Sequence, residues 1–424
     1  MKKYLQIVKS HLLCIYIILN ILFILITSFL YAFKISTYHF NSLLYIPCLI
    51  LNIFVILFYV FFKIKTKKKL RFRNFDIFLF IMFIFSLISS ILSINTHDAF
   101  FGFLNRYEGF FQIMYYFSLF ILSSFLPNED KKKVSYAFII LGLIQVVHAH
   151  IQKFELLNVP ILYDKTEPWA TGYVSNPNFF GSLMVLCLTI AIGLLFDSNS
   201  KRERIIYSFV IAFFTSGLLI SDSLSALVGL IISLIYVLIY SLIKHKKILF
   251  LTTTIIITLV TIIISCLNQT TLVNDLIKTK DQSVEIVKGN VKDNYGTNRI
   301  FVWKNAIKVV PKNLTYGVGI DNFYYAFGDK PLMFNHRYFD KAHNEYLQIL
   351  VCEGIYALLS YLVFVGIIVI NGIRYSFNKT KLYLVLPIVA YLTQAFFNIS
   401  VIEVAPLFYI YLGLCSNRNK ECLK

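Results

Sequence analysis

Charged side chains are scarce in this sequence, in which Asp, Glu, Lys and Arg together make up 15% of the 424 residues. Soluble domains usually carry about 25% charged residues. Hydrophobic residues account for 58% of the chain. These proportions exclude an ordinary soluble protein and indicate an integral membrane protein, which we interpret as a single polytopic membrane domain over residues 1–424.

Three signals of other protein classes are also missing. The seven cysteines show no CxxC motif and no Cys/His spacing typical of a metal site, so we interpret them as small buried hydrophobic residues. No small-x-small cleavage site follows the first apolar run, which is therefore expected to remain as a span. The two halves show no internal repeat of the kind typical of transporters.

Long apolar runs fill most of the chain. Every backbone N–H and C=O must be paired internally in hydrocarbon, so runs of about 20 apolar residues predict transmembrane helices rather than strands. The predicted fold class is all-α. About twelve spans are expected, at residues 12–33, 42–62, 75–94, 109–126, 134–152, 177–196, 205–220, 223–243, 248–267, 343–370, 382–397 and 401–415.

The distribution of Lys and Arg sets the expected orientation. With the N-terminus taken as cytoplasmic, most of the 40 Lys and Arg residues fall in short segments on the cytoplasmic side, such as 63-KIKTKKKLRFR-73. Both termini are then cytoplasmic in a multi-pass protein of the cytoplasmic membrane. Topology and anionic lipid also explain the net charge of +18 better than nucleic acid does, so no nucleic-acid partner is expected.

Residues 268–342 form the one long segment between predicted spans, and they are expected outside the membrane. The segment begins as a polar, irregular stretch. The stretch 296-GTNRIFVWKNAIKVVP-311 then predicts a short amphipathic helix at the outer surface, with Thr297 or Asn298 as its N-cap and Pro311 as its stop. Its predicted apolar stripe, with Trp303 near the lipid headgroups, consists of Ile300, Trp303, Ile307 and Val310.

Arg299 lies in the first turn of this predicted helix, where the helix dipole disfavours a cation. A bound anion would reverse that effect, because free N–H groups and the guanidinium would converge on it. A phosphate or diphosphate fits such a site. The alternative is an exposed arginine without a ligand.

His343 is predicted in the first turn of the tenth span, at the outer membrane boundary. A histidine there is partly neutral at pH 7 and can accept a proton from a hydroxyl, so one interpretation is a general base and the other is a cap or interfacial histidine. Asn344 could orient a ligand or cap the helix. Glu345 is predicted to point away from His343, and Glu353, about 15 Å deeper along the helix, is interpreted as structural.

A second polar cluster precedes the fourth span, in 102-GFLNRYEGFFQIMYY-116. Arg106, Tyr107 and Glu108 would lie at the outer mouth of that span. An arginine on the outer side runs against the usual orientation bias, which favours a functional role over simple snorkelling to the interface. The stretch 317-GVGIDNF-323 predicts a tight turn rather than a phosphate loop.

Together these motifs resemble the O-antigen ligase and O-antigen polymerase superfamily. The resemblance rests on their order and spacing and runs from about residue 100 to 415. The members are multi-span bacterial enzymes that act on undecaprenyl-diphosphate-linked sugars outside the cytoplasmic membrane. The motifs are NRYEG before a span, 171-TGYVSNPNFFGSLMVL-186, the R-x-x-x-W pattern at 299–303, GVGIDNF, and HNEYLQILVCEG at 343–354.

The resemblance implies a glycosyltransferase that moves a lipid-linked glycan to an acceptor hydroxyl on a glycan, lipid or protein, without a metal, a cofactor or a nucleotide sugar. It implies that residues 268–342 act as a catalytic loop. His343 matches the family's candidate base, and Arg299 matches a candidate ligand of the diphosphate leaving group. A preorganised guanidinium can stabilise the charge that develops on that group.

One position departs from the family pattern. The family usually carries a Ser-Arg pair near the outer end of the span matched by 219-LISDSLSALVGL-230, where this chain has Leu224 between Ser223 and Ser225. The resemblance then implies that Arg106 or Arg337 replaces the missing arginine in binding substrate, or that the activity is weaker or different.

The motifs do not separate a ligase, which attaches a finished glycan, from a polymerase, which joins repeat units. We favour polymerisation or another cell-envelope glycan transfer. The alternative class is a transporter or flippase of lipid-linked sugars that performs no chemistry. The clustering of ionisable residues at the outer mouth, rather than at the bilayer midplane, favours the enzyme.

The predicted orientation can be tested by cysteine labelling. If residues 268–342 lie outside, a single cysteine in place of Asn290, in an otherwise cysteine-free protein, reacts with a membrane-impermeant thiol reagent in intact cells. Labelling that occurs only after cell lysis would reverse the topology.

Overall fold

The computed structural model describes residues 2–32, 38–66, 72–156, 170–267, 270–328 and 330–416. Within these ranges the chain is almost entirely helical. Its sixteen α-helices are α1 Lys2–Ala32, α2 Tyr38–Lys65, α3 Asn74–Ile91, α4 Thr96–Phe101, α5 Phe110–Ser124, α6 Asn128–Lys153, α7 Pro177–Phe196, α8 Lys201–Ile220, α9 Leu224–Ile243, α10 Lys247–Cys266, α11 Leu272–Val287, α12 Arg299–Val309, α13 Glu345–Glu353, α14 Ile355–Lys379, α15 Leu382–Ala395 and α16 Ala405–Cys415.

The prediction of a helical membrane protein is confirmed. In the described part of the chain, nine helices are long and apolar enough to cross a membrane: α1, α2, α3, α6, α7, α8, α9, α10 and α14. The shorter apolar helices α5, α15 and α16 lie at the predicted fourth, eleventh and twelfth spans. The number of twelve spans therefore stays a prediction.

Among the nine membrane-length helices of the described chain, α7 is the most buried. Its whole membrane-length window is buried, and α8, α9 and α15 pack around it. The start of α7 is fixed by Asn176, whose side chain accepts a hydrogen bond from the backbone N–H of Asn178 at 2.9 Å, and by Pro177 at the first helical position. A second group of helices forms where α5 packs against α16 and α2.

The predicted continuous span at 343–370 is wrong, because the helix is broken at Gly354. The φ angle of Gly354 is +86°, and a Cβ there would lie 2.4 Å from the carbonyl oxygen of Thr315, so glycine is required. The nine-residue α13 ends at Glu353, and α14 begins again at Ile355. Glu353 is therefore not deep inside a continuous span.

The α13 helix is held between the end of α3 and the loop that follows α12. Ser86 donates a hydrogen bond to the Glu353 carboxylate, and Ser89 Oγ donates to the carbonyl of Cys352 at 2.6 Å. The backbone N–H of Val318 donates to Val351 O at 3.0 Å. The predicted structural role of Glu353 agrees with these contacts.

The GVG turn at 317–319 also packs against the end of α13. The N–H of Gly319 donates to Cys352 O at 2.9 Å, and a Cβ on Gly317, where φ is +72°, would lie 2.2 Å from the Cys352 carbonyl. These glycines therefore allow the loop to cap the C-terminal end of α13.

The segment between α10 and α13 contains two helices rather than one. The expectation of an irregular start is wrong, since α11 occupies sixteen residues there. The sequence signal for it was the spacing of Leu272, Leu276, Val284 and Val287, which puts apolar side chains on one face. The predicted helix after Gly296 is confirmed as α12, and it is followed by a 3-10 turn, Val310–Lys312, that contains the predicted stop Pro311.

The predicted apolar stripe of α12 is displaced. Val302 and Ala306 are the buried residues of this helix, whereas Ile307 is 60% exposed. Asn298 is the N-cap as predicted, but it has a left-handed backbone and its side chain does not cap. The segment then forms a two-stranded antiparallel hairpin, β1 Met333–Phe334 and β2 Arg337–Tyr338.

Trp303 binds protein rather than standing free at the surface. Its Nε1 donates to the carbonyl of Ala342 at 3.0 Å, and its ring centroid lies 5.7 Å from that of Phe396 in an edge-on contact. The α12 helix is thereby attached to the residue that precedes His343 and to the loop after α15. We use "loop face" for the end of the bundle formed by residues 93–109, 296–328, 330–345 and 398–404.

Candidate functional site

A buried ion cluster joins three separate segments of the loop face. Lys341 Nζ lies 2.6 Å from Asp321 Oδ1 and 3.2 Å from Glu108 Oε2, and no side chain of the three is more than 4% exposed. The cost of removing two carboxylates from water is offset only because the positively charged lysine lies between them. The carboxylates raise the pKa of Lys341 against the lowering effect of burial, so the lysine stays charged.

The remaining oxygens of the cluster are also bound. Asp321 Oδ2 accepts the backbone N–H groups of Phe103 at 2.7 Å and Glu108 at 3.1 Å. Glu108 Oε1 accepts the hydroxyl of Tyr116 at 2.9 Å and that of Ser400. The cluster therefore fixes the 102–109 loop, the 317–323 turn and the segment before α13 in one arrangement.

Arg106 extends the same arrangement towards the surface. Its Nε and Nη2 donate to the two carboxylate oxygens of Asp340 at 2.6 and 3.0 Å, which is a bidentate ion pair. Burial alone would raise the pKa of Asp340, but the hydrogen bonds and charge of Arg106 hold it below its usual value. Arg106, which was predicted to bind substrate, is thus paired with a carboxylate of its own chain.

The other predicted binding residues occupy different environments. Tyr107 is buried, with a positive φ of 51°. Asn344 is the N-cap of α13, and its Oδ1 accepts the N–H of Leu347 at 3.0 Å. Arg337 is exposed on β2. Leu224 lies at the start of α9, after the N-cap Ser223, and contacts the apolar core.

His343 precedes α13 rather than lying in its first turn. Its φ angle is +51°, and its ring lies edge-on to Phe339 with a centroid distance of 6.2 Å. The neighbouring Ala342 is held from both sides, because its carbonyl accepts the Trp303 indole N–H and its N–H donates to Gln348 Oε1 at 2.8 Å. This backbone is therefore fixed before a ligand binds.

The imidazole of His343 is kept neutral by its surroundings. Burial, followed by the positive charges of Arg299 and Arg106, lowers the pKa of His343 to about 4. Among the described residues, none forms a hydrogen bond with its ring nitrogens. At neutral pH the ring is therefore a proton acceptor in the positive field of two guanidinium groups.

Arg299 is held by its own loop at the start of α12. Its Nη1 donates to Gly296 O at 3.1 Å and to the Thr297 hydroxyl, while its buried Nε has no hydrogen-bond partner in the described part of the chain. Burial also lowers the pKa of this guanidinium. An N–H left without a partner at the end of a helix is suited to an anionic ligand.

Glu345 turns away from His343, as its position in the sequence predicted. The Tyr361 hydroxyl donates to its Oε1 at 3.0 Å, within the contact between α13 and α14. The sequence reasoning missed Asp321, Asp340 and Lys341 altogether. The available signal was that opposite charges interrupt the three apolar motifs GFLNRYEGF, GVGIDNF and YFDKAHN.

Comparison with known families identifies the central part of the chain. The family model described as O-antigen ligase matches residues 207–362. The matched stretch extends from within α8 into α14, so it contains both Arg299 and His343. No curated protein matches the chain.

The ion cluster predicts a strong dependence of stability on Lys341. Lys341→Met leaves two buried carboxylates without their cation and is expected to cost about 3–5 kcal/mol. The measurement is thermal unfolding of the purified protein in detergent. The matched control is Lys304→Met, which removes a half-exposed pair with Asp293 and is expected to cost about 1 kcal/mol or less. Equal unfolding temperatures for the two variants would contradict the scaffold role of Lys341.

Proposed function

We propose that the chain, whose residues 207–362 match the O-antigen ligase family model, is a member of the O-antigen ligase and polymerase superfamily that transfers an undecaprenyl-diphosphate-linked glycan to an acceptor hydroxyl at the outer face of the bacterial cytoplasmic membrane. The observation that carries the proposal is geometric: Trp303 of α12, the helix that begins at Arg299, donates a hydrogen bond to the carbonyl of Ala342, the residue before His343. Burial and the positive charges of Arg299 and Arg106 also lower the pKa of His343. Such a site offers a base for one reactant and positive charge for the other.

In the proposed reaction, a ring nitrogen of His343 takes the proton of the acceptor hydroxyl. The acceptor oxygen forms a bond to the anomeric carbon of the lipid-linked sugar. The bond between that carbon and the diphosphate oxygen breaks, and undecaprenyl diphosphate leaves with the electron pair. Arg299 stabilises the charge that develops on the leaving group, and the proton remains on His343 until the product leaves.

The substrate itself would bring His343 into a useful range of basicity. A base with a pKa of about 4 is weak, and part of that lowering comes from the two guanidinium groups. A bound diphosphate neutralises their positive field, so the pKa of His343 rises when the donor is in place. The base would then be strongest when the substrate is bound.

Arg299 is the proposed principal ligand of the diphosphate. Its buried Nε has no partner among the described residues, whereas Arg106 is held by Asp340. Arg106 therefore contributes its position and charge. It can take the place of the family arginine whose position is occupied by Leu224 in this chain. The proposal also includes three residues that lie near the substrate path or support the site, namely Arg337, Tyr107 and Asn344.

Within this proposal, the identity of the acceptor distinguishes a polymerase from a ligase. A glycan end is the acceptor of a polymerase, and a lipid or protein hydroxyl is the acceptor of a ligase. We favour the polymerase. The family match supports transfer chemistry and gives no support to the alternative of a transporter.

Removing the base tests the proposed function. Purified His343→Ala protein in liposomes is expected to transfer lipid-linked glycan about 10²–10⁴-fold more slowly than wild type, and cells carrying it should accumulate unreacted donor. For wild type, kcat/KM should stay constant as the pH falls to about 5 and then decline as His343 becomes protonated near its low free-enzyme pKa. The control Glu353→Gln should alter stability more than turnover. A wild-type rate for His343→Ala would remove the base assignment.

Arg299→Lys tests the leaving-group assignment separately. The lysine keeps a positive charge but loses the guanidinium fork, and it should cost about 2–3 kcal/mol of transition-state stabilisation. The measurement is kcat/KM for the donor, with the amount of membrane-inserted protein as the control. Unchanged kcat/KM at equal expression would exclude Arg299 from the diphosphate site.

A further inference from the structure

A small pocket opens on the loop face, next to Glu108 of the ion cluster. Arg106, Glu108, Ser175, Ser400 and Glu403 contribute to its lining. Its free space accommodates about one water-sized group. The pocket lies between the 102–109 loop, the start of α7 and the loop that connects α15 to α16.

Glu403 is the residue of this pocket whose hydrogen bonding is incomplete within the described part of the chain. Its side chain is only 7% exposed, yet its Oε1 has no hydrogen-bond partner in the part of the chain that the structure describes. The carboxylate interacts with the hydroxyl and the backbone N–H of Ser175. A buried carboxylate oxygen without a donor is costly, so a donor from outside the chain would relieve that cost.

The backbone around Glu403 is fixed. The N–H groups of Val404 and Ala405 donate to Val401 O at 3.1 and 2.8 Å, which forms the turn that starts α16. Ser400 on the other side of the turn donates to Glu108. The backbone that carries Glu403 is therefore held on both sides.

The chemistry of the lining selects a neutral donor. Burial and the negative charge of Glu108 both raise the pKa of Glu403, and the same two carboxylates repel a phosphate or a carboxylate ligand. Arg106, the cation in the pocket, is engaged by Asp340. A hydroxyl is water-sized, neutral and a hydrogen-bond donor, so it fits the space and the missing partner.

We propose that Glu403 Oε1 accepts a hydrogen bond from a hydroxyl group of the saccharide, so that this pocket positions a sugar ring next to His343. The inference rests on the proposed glycan transfer. The link between the two places is Arg106, which lines the pocket and pairs with Asp340, three residues before His343. The hydroxyl can belong to the lipid-linked donor or to the acceptor, since both are saccharides.

The probes for the test are the lipid-linked glycan extracted from cells that produce this protein, and the water-soluble glycan released from it by mild acid. Glu403→Gln is expected to raise the KM for one of the two reactants about tenfold, with kcat within about twofold of wild type and an unchanged unfolding temperature. Separate titrations of donor and acceptor identify which reactant bears the hydroxyl. Glu403→Asp, which withdraws the carboxylate by one methylene, should show the same rise if Glu403→Gln fails to fold.

The matched control is Glu129→Gln, because Glu129 is exposed at the start of α6. Its KM values should equal those of wild type. Unchanged KM for both reactants in Glu403→Gln or Glu403→Asp would overturn the saccharide role of Glu403. If wild type shows no turnover, the proposed function fails, and direct binding of the released glycan still decides the inference: no binding to wild type, or equal binding to wild type and Glu403→Gln, overturns it.

Discussion

The loop face depends on one lysine shared by two carboxylates. Each charge that leaves water for a protein interior costs several kcal/mol, and only close pairing and complete hydrogen bonding offset that cost. Lys341, Asp321 and Glu108 meet this requirement with backbone N–H groups and hydroxyls on the remaining oxygens. Segments more than 200 residues apart in sequence are held together in this way, and His343 is two residues from the lysine.

The ion cluster around Lys341 changes how the motif that contains Arg106 and Glu108 is interpreted. At the level of sequence, charges at the mouth of a span indicate contact with substrate. In the folded chain, Glu108 is buried beside Lys341 and Arg106 is paired with Asp340. Arg106 also affects His343, because its positive charge contributes to the lowered pKa of that imidazole. Positioning and electrostatics are thus supplied by one set of side chains.

The sequence predicted the helical fold because hydrocarbon permits few structures and long apolar runs are unambiguous. It also predicted α12 from its periodicity and the break in structure at Pro311. It failed at α11, whose apolar residues share one face but lie among Lys, Asp, Asn, Gln and Glu, so that the stretch was interpreted as polar and irregular. It failed at Gly354 too, because a single glycine within an apolar run does not reveal that the Thr315 carbonyl approaches it.

The candidate site was predictable only in part. His343 and Arg299 could be singled out from residue type, local position and family resemblance, but their common environment depends on the tertiary contact between Trp303 and Ala342. The partners of Lys341 and Asp340 could not be assigned, because ion pairing across more than 200 residues leaves no local pattern. Glu403 carried no signal at all beyond being an acidic residue between two apolar runs.

The break at Gly354 has a consequence for how the protein responds to its bilayer. An uninterrupted helix from α13 through α14 would be about 50 Å long at 1.5 Å per residue, far beyond a hydrocarbon thickness of about 30 Å. With the break, hydrophobic mismatch is absorbed by α14 alone, through tilting. The α13 helix is fastened to α3 and α12 instead, so the spacing between His343 and Arg299 is insulated from membrane thickness.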